Sequence, residues 1–245
     1  MNQILGLKLE KIPVDDYERL DAGALGDVDN ACLVLTAGTT ATGAIDPLHL
    51  VGLAAWTHVD AAWAGPLRLS ANYSHLLEGI EAADSVAVSA HKWLFQPKDS
   101  AFVLFQDIER ANTSISFGGG YLSSPNIGVQ GSRSAAAIPL LATLLAWGRA
   151  GIVARIEHTM SLAEKLATML GKDDSLTLWA RPETGITVFR PANLPIEKFM
   201  NQIPKGMLSN CVIRHENWAR SVAANPMADV ERIYETIAGA SRADA

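Results

Sequence analysis

Trp56-Thr57-His58-Val59-Asp60-Ala61-Ala62 and, further along, Ser85-Val86-Ala87-Val88-Ser89-Ala90-His91-Lys92-Trp93 each open on a short apolar run and close on a group that can do chemistry. Thr57 to Asp60 and Ser85 to Val88 read as strands, and so does Ala31 to Thr36 upstream. Pro47 to Ala55 and Asn72 to Ala82, which lie between them, read as helices. Strands alternating with helices are the signature of parallel α/β units. Gly38, Gly43, Gly65 and Gly79 fall where such elements would end.

In an open α/β sheet the ligand crevice lies at the carboxyl ends of the strands. Asp60 ends one predicted strand and Lys92 follows the next, so both side chains would converge on one crevice. A lysine beside a desolvating aromatic can have its pKa lowered, as an amine nucleophile requires. An aspartate at the neighbouring strand end can hold a protonated pyridine nitrogen and keep the ring an electron sink. The pair suits pyridoxal phosphate, but spacing alone favours a plainer reading, a surface ion pair or two solvated charges. His58 shares a strand face with Asp60 while Val59 opposes both, and it reads as a structural hydrogen-bonder. His49 and His75 fall on predicted helices without ligand spacing, so no metal site is expected.

Working outward, residues Ala111 to Gly131 are rich in Ser, Gly and Asn and read as a loop. A helix is expected from Ser132 to Gly148, kinked or delayed by Pro139, and a second from Ile152 to Leu170. Strands near Ser175 to Trp179, Gly185 to Arg190 and Leu208 to Arg214, then a helix from Ala228 to Ala238, make a small α+β module. Two domains are therefore expected, 1–135 and 150–245. With 245 residues, 49% of them hydrophobic, the chain can bury a sizeable core. Its net charge of -6 is scattered and contains no basic run, which argues against nucleic acid as a partner. The apolar stretch from Ile138 to Trp147 falls short of the ~20 residues of a membrane span. The N-terminus has no secretory pattern, and Cys32 and Cys211 lie far apart, which together lead to the expectation of a reducing cytoplasm.

Four blocks carry a family resemblance: Leu35-Thr36-Ala37-Gly38-Thr39-Thr40-Ala41-Thr42-Gly43-Ala44-Ile45-Asp46, His58 through Gly65, Gly79 through Ser85, and Ser89-Ala90-His91-Lys92-Trp93-Leu94. In this order and spacing they resemble the group II pyridoxal-phosphate-dependent amino-acid decarboxylases. The resemblance implies an α/β chain of the aspartate-aminotransferase-like fold type I, with part of the large domain followed by the small C-terminal domain. It implies that Lys92 carries the cofactor, pyridoxal 5'-phosphate, and that Asp60 partners the pyridine nitrogen. Ala62 would sit against the ring face, Thr36 beneath the cofactor, and Ser89 and His91 beside its phosphate. Taken singly, His91 would be a structural histidine, Ser89 a strand-end serine, and Thr36 and Ala62 core positions.

Tyr121 is a candidate proton donor, with aromatic packing as the alternative, and Arg133 or Arg220 would serve a substrate carboxylate or simple solvation. Gly131-Ser132-Arg133 and Pro97-Lys98-Asp99-Ser100 are also similar to the phospho-sphingoid lyases, which makes aldol-type carbon-carbon cleavage the alternative chemistry. Family members carry a further half-domain ahead of the region matched here, with a phosphate loop and a ring-stacking histidine. The expected partners are therefore an amino-acid substrate and either a second copy or a separate N-terminal half. A non-catalytic subunit is the reading from another class.

Overall fold

A computed structural model of the chain describes residues 6–117, 126–127 and 135–243. Its first sheet holds β1 (Cys32–Thr36), β2 (Trp56–Asp60), β3 (Ser85–Val88) and β4 (Phe102–Phe105), in that order. β1, β2 and β3 run parallel, and β4 closes the edge antiparallel to β3. Residues alternate inward and outward: Leu33, Leu35 and Val59 are buried, whereas Val34 is 54% exposed on the opposite face.

The two helices expected between these strands are absent. Over Pro47–Ala55 the chain makes only a 3-10 turn at Leu48–Leu50, and Gly52 then adopts a φ of 86°. Over Asn72–Ala82 there are two such turns, Ser74–Leu77 and Ile80–Ala82, divided by Gly79 at a φ of 89°. A left-handed glycine ends a helical run, and the apolar residues between the strands are buried from compact turns instead. The connections that cross from strand to strand are therefore turn-built.

Beyond β4 lies α1 (Ile108–Ile115), which occupies the start of the stretch expected to be loop. Asp107 accepts the Arg110 amide at 2.9 Å and so supplies the start of this helix. β5 (Ser116–Phe117) and β6 (Asn126–Ile127) form a two-stranded ribbon. Then comes α2 (Ala137–Leu170), with Pro139 in its first turn, where proline is tolerated. α2 is long and apolar enough, by length and composition, to cross a bilayer, which the reading of residues 138–147 alone had not anticipated. It is not one straight rod: Gly148, at φ 59° and ψ 179°, breaks it in two. After the break Ile152, Ile156, Thr159, Met160, Ala163, Leu166, Ala167 and Leu170 are buried at helical spacing. Before it, Ile138 is 66% exposed and Leu145 is 77% exposed.

The second sheet has the order β7 (Leu176–Leu178), β8 (Ile186–Pro191), β10 (Glu216–Val222), β9 (Ser209–Ile213), and is antiparallel throughout. α3 (Ile196–Gln202) and α4 (Val230–Arg242) pack with it. Asp229 caps α4 by accepting the Arg232 amide at 3.0 Å. Phe189, Phe199, Leu166, Leu170 and Ile237 form a core within this C-terminal module. The larger core joins Leu35, Val59, Trp63 and Trp93 to Ile186, Val188, Cys211, Ile213 and Trp218, so the two sheets share buried contacts.

Candidate active site

Strand register brings the first group of site residues together. Thr36 pairs with Asp60, Asp60 with Ala87, and Ala87 with Val103, giving a row across the outward face at one end of the sheet. Asp60 is the last residue of β2 and its side chain is exposed. Its carboxylate is held by an Asx turn: the Ala62 amide donates to Oδ1 at 3.0 Å. Ala62 is half-buried beside it. The backbone beneath is fastened on both sides, since the Ala37 amide donates to the Asp60 carbonyl at 2.8 Å and the Ala61 amide to the Ala87 carbonyl at 2.9 Å.

Lys92 lies in a tight turn just past the end of β3. Its amide donates to the Ser89 carbonyl at 3.2 Å, the Phe95 amide donates to the Lys92 carbonyl at 3.0 Å, and the Gln96 amide reaches back to Ala90 at 3.1 Å. The lysine is half-buried, and among the described residues its amine makes no ion pair, with Asp60 or any other carboxylate. The plainer reading of the two as a mutual surface ion pair therefore does not describe them. Ser89 and His91 flank the lysine and are half-buried; His91 Nδ1 lies 3.2 Å from the Ser100 carbonyl, which also accepts the His91 amide at 3.1 Å. Tyr121 and Gly131-Ser132-Arg133 fall outside the described residues. Arg220 donates to the Thr40 carbonyl and, at 3.0 Å, to Ser209 Oγ, so it braces the loop after β1.

Behind Asp60 is a second row. Val34 pairs with His58 and His58 with Ser85. Ser85 Oγ accepts from Trp56 Nε1 at 2.9 Å and lies 2.8 Å from His58 Nδ1. His58 is thus fixed in the hydrogen-bonding role expected of it. Burial lowers its pKa from the ordinary value, against the opposing pull of the Asp60 charge.

Asp46 and Trp63 have no role in the sequence reading, and Trp93 enters it only as the aromatic beside Lys92, although all three stand in the quoted blocks. Asp46 is buried and accepts two backbone amides, one of them from Thr36. Trp63 and Trp93, three residues past Asp60 and one past Lys92, pack with ring centroids 4.3 Å apart and planes tilted by 35°. An interior indole N–H needs an acceptor, but the sequence does not show which group supplies it.

The donor set fits a pyridoxal group in part. A carboxylate at a strand end with a small alanine beside it, and an amine past the neighbouring strand that makes no ion pair among the described residues, are the groups that a ring nitrogen, a ring face and an aldehyde would call for. Toward a phosphate, the chain offers Ser89 and His91, which flank the lysine. Cavities of about 330 Å³ (Thr177, Arg190, Leu194) and about 220 Å³ (Tyr17, Arg19, Trp179) include neither Asp60 nor Lys92.

Residues 1–192 match the model of the pyridoxal-dependent decarboxylase conserved domain. The chain belongs to the pyridoxal-dependent decarboxylase family. It is 34% identical over 198 residues to aspartate 1-decarboxylase of Aliivibrio fischeri, an alignment covering 75% of this chain and 36% of that protein. It is 36% identical over 209 residues to L-2,4-diaminobutyrate decarboxylase of Rhizobium meliloti, covering 78% of this chain and 41% of that one. Among solved structures, Oryza sativa TDC with PLP and tryptamine superposes with a TM-score of 0.82 at 20% identity, over 98% of this chain and 59% of that one. At that identity the likeness shows the fold, which is fold type I of the pyridoxal enzymes. The chain thus spans less than two thirds of the length of each of these proteins. The family's cofactor is the pyridoxal group that Asp60 and Lys92 suit.

Proposed function

We propose that this chain takes part in pyridoxal-phosphate-dependent decarboxylation of an amino acid. The observation that carries the proposal is the register row Thr36, Asp60, Ala87, with Lys92 in the turn just past β3 and its amine in no ion pair among the described residues. Lys92 would hold the cofactor's aldehyde carbon, and its amine, when free, would be placed to accept or return a proton. Asp60 would fix the positive charge at the ring nitrogen, Ala62 would leave room for the ring, and Ser89 and His91 would face the phosphate. When bound, the cofactor supplies the sink for the electron pair left behind as carbon dioxide departs. Carbon-carbon cleavage is the weaker alternative, because both relatives named above are decarboxylases.

Association is part of the proposal. Val34 and Val103 are exposed on the face that bears Asp60, as are Ile138, Leu141, Leu144 and Leu145 on the first segment of α2. Apolar surface of this kind favours a partner, either a second copy or a separate chain supplying the rest of the family's fold, whose phosphate contacts would complete the site. A reducing, cytoplasmic setting accords with the free thiols of Cys32 and Cys211.

The test is an absorbance spectrum with added pyridoxal phosphate, followed by borohydride trapping and peptide mapping, beside Lys92→Ala. The expected result is a trapped adduct on Lys92 that the variant loses. Carbon dioxide release from aspartate and from 2,4-diaminobutyrate, together with sedimentation of the loaded chain, then reads activity and assembly. An adduct spread over surface lysines, unchanged in Lys92→Ala, would overturn the assignment.

A further inference from the structure

Trp63 and Trp93 join the site to the C-terminal module by their polar edges. Trp93 is fully buried and donates Nε1–H to the Ala223 carbonyl at 2.8 Å; Trp63, 6% exposed, donates to the Thr184 carbonyl at 2.7 Å. Both acceptors sit at one end of the β8–β10 ladder, which continues past the paired Ile186 and Val222 through the Ala223 amide donating to Gly185 at 2.9 Å. The two indoles thus rest on a single rigid edge.

The surroundings leave them little freedom. A Cβ on Gly185 would stand 2.9 Å from Trp93 Cζ2, and one on Gly38 would stand 2.9 Å from Trp63 Cδ1. Thr184, also fully buried, sends its hydroxyl to the Gly43 carbonyl at 2.7 Å, in the loop that follows Thr36. Trp93 shares a peptide bond with Lys92, and Trp63 closes the short segment that begins with Asp60 and Ala62. Displacing either indole therefore moves a backbone that carries a site residue.

We propose that Trp63 and Trp93 are positioning residues through which the C-terminal module sets the geometry of Asp60 and Lys92. The module would act on the two site groups together, because the two indoles pack against each other and both donate to one ladder end. The inference rests on the proposed function only in giving Lys92 and Asp60 a cofactor to hold; the mechanical coupling stands apart from it.

Hydrogen exchange of the cofactor-free chain tests the coupling directly, at the Ala61, Ala62, Lys92 and Gln96 amides. Trp93→Phe and Trp63→Phe keep a ring and delete a donor, while Gly185→Ala pushes on Trp93 from the module side. Phe199→Leu, in the module's own core against Phe189 and away from both indoles, controls for general loosening. Exchange at the four site amides is expected to rise about fivefold or more in the three test variants, and less in Phe199→Leu at matched loss of stability. The initial rate of borohydride-trapped adduct formation on Lys92 should fall in the same variants. Equal exchange at the site amides in Phe199→Leu and the test variants, or no rise in the Phe variants, would overturn the proposal. If Gly185→Ala does not fold, the two Phe variants decide alone. If the unaltered chain forms no Lys92 adduct, the cofactor reading fails while the exchange comparison still decides the coupling.

Discussion

Asp46 accepts the amide hydrogen of Thr36 at 2.6 Å through Oδ2, and the Thr36 carbonyl accepts the amide of Asp46 at 2.9 Å, so the two residues clasp each other across the loop Ala37–Ile45. Asp46 Oδ1 meanwhile accepts the Leu20 amide at 2.7 Å. One buried carboxylate thus satisfies two interior donors and pins the residue that stands beside Asp60 in the sheet.

Replacing that carboxylate has a calculable direction. In Asp46→Asn one oxygen remains and an NH2 group faces an amide donor, leaving a buried group unsatisfied at a cost of about 1–3 kcal/mol. The urea midpoint should fall accordingly. The yield of trapped adduct on Lys92 should fall with it, because Thr36 loses its anchor.

Asp60→Asn separates charge from structure. Asn keeps an oxygen to accept the Ala62 amide, so the thermal midpoint should move little. The fixed negative charge is lost, and the dissociation constant for pyridoxal phosphate should rise about tenfold or more, since a charge-assisted bond is roughly twice as strong as a neutral one. Titration of the cofactor by absorbance measures it. An unchanged constant would show that Asp60 does not contact the ring nitrogen.

How much of this was legible in the sequence depends on what each residue touches. β1, β2 and β3 announce themselves by alternation, and the strand-end positions of Thr36 and Asp60 follow from them. The two missing helices were misread because Gly52 and Gly79 adopt left-handed backbone that apolar spacing does not reveal. β4 and β10 went unread: β4 follows the polar turn Pro97 to Ser100, and β10 mixes Glu216, Asn217 and Arg220 into its run. The anchoring of Trp63 and Trp93 was beyond reach, since their acceptors are backbone carbonyls 121 and 130 residues away, and carbonyls carry no sequence signal.

His58 should make the fold sensitive to mild acid. Burial lowers its pKa, only partly offset by Asp60, so the folded chain takes up the proton less readily than the unfolded one. Its contribution is therefore full above the ordinary histidine value of about 6.5 and is lost as the pH falls below it. Urea midpoints measured from about pH 7.5 down to about 5.5 should decline, and His58→Gln should flatten the decline. Proton NMR of the ring should place its titration below the ordinary value, and lower still in Asp60→Asn, where the opposing charge is gone. Identical slopes in both proteins would assign the sensitivity elsewhere.

Asp173 should give a second, more acidic transition, located in the C-terminal module. Its carboxylate accepts the Ser175 hydroxyl at 2.7 Å, the Ser175 amide at 3.0 Å, Arg242 at 2.6 Å and the Tyr234 hydroxyl at 3.0 Å. Burial pushes this carboxyl up, but those four donors outweigh it and hold the group at about 2. A depressed carboxylate stabilises the fold above its unfolded value and ceases to do so as the pH falls through the folded one. Here that window runs from about 4 down to about 2, and the contribution at neutral pH is on the order of 2 kcal/mol. Because Arg242 ends α4 and Asp173 follows α2, the latch holds the last helix against the module. Asp173→Asn should lower the urea midpoint at neutral pH and release α4 to faster hydrogen exchange. The gap between the two proteins should then narrow as the pH is brought toward about 3, where the unaltered chain begins to lose the same charge. A gap that stayed constant over that range would mean that the carboxylate's charge contributes nothing, and that the loss comes from the altered hydrogen bonding alone.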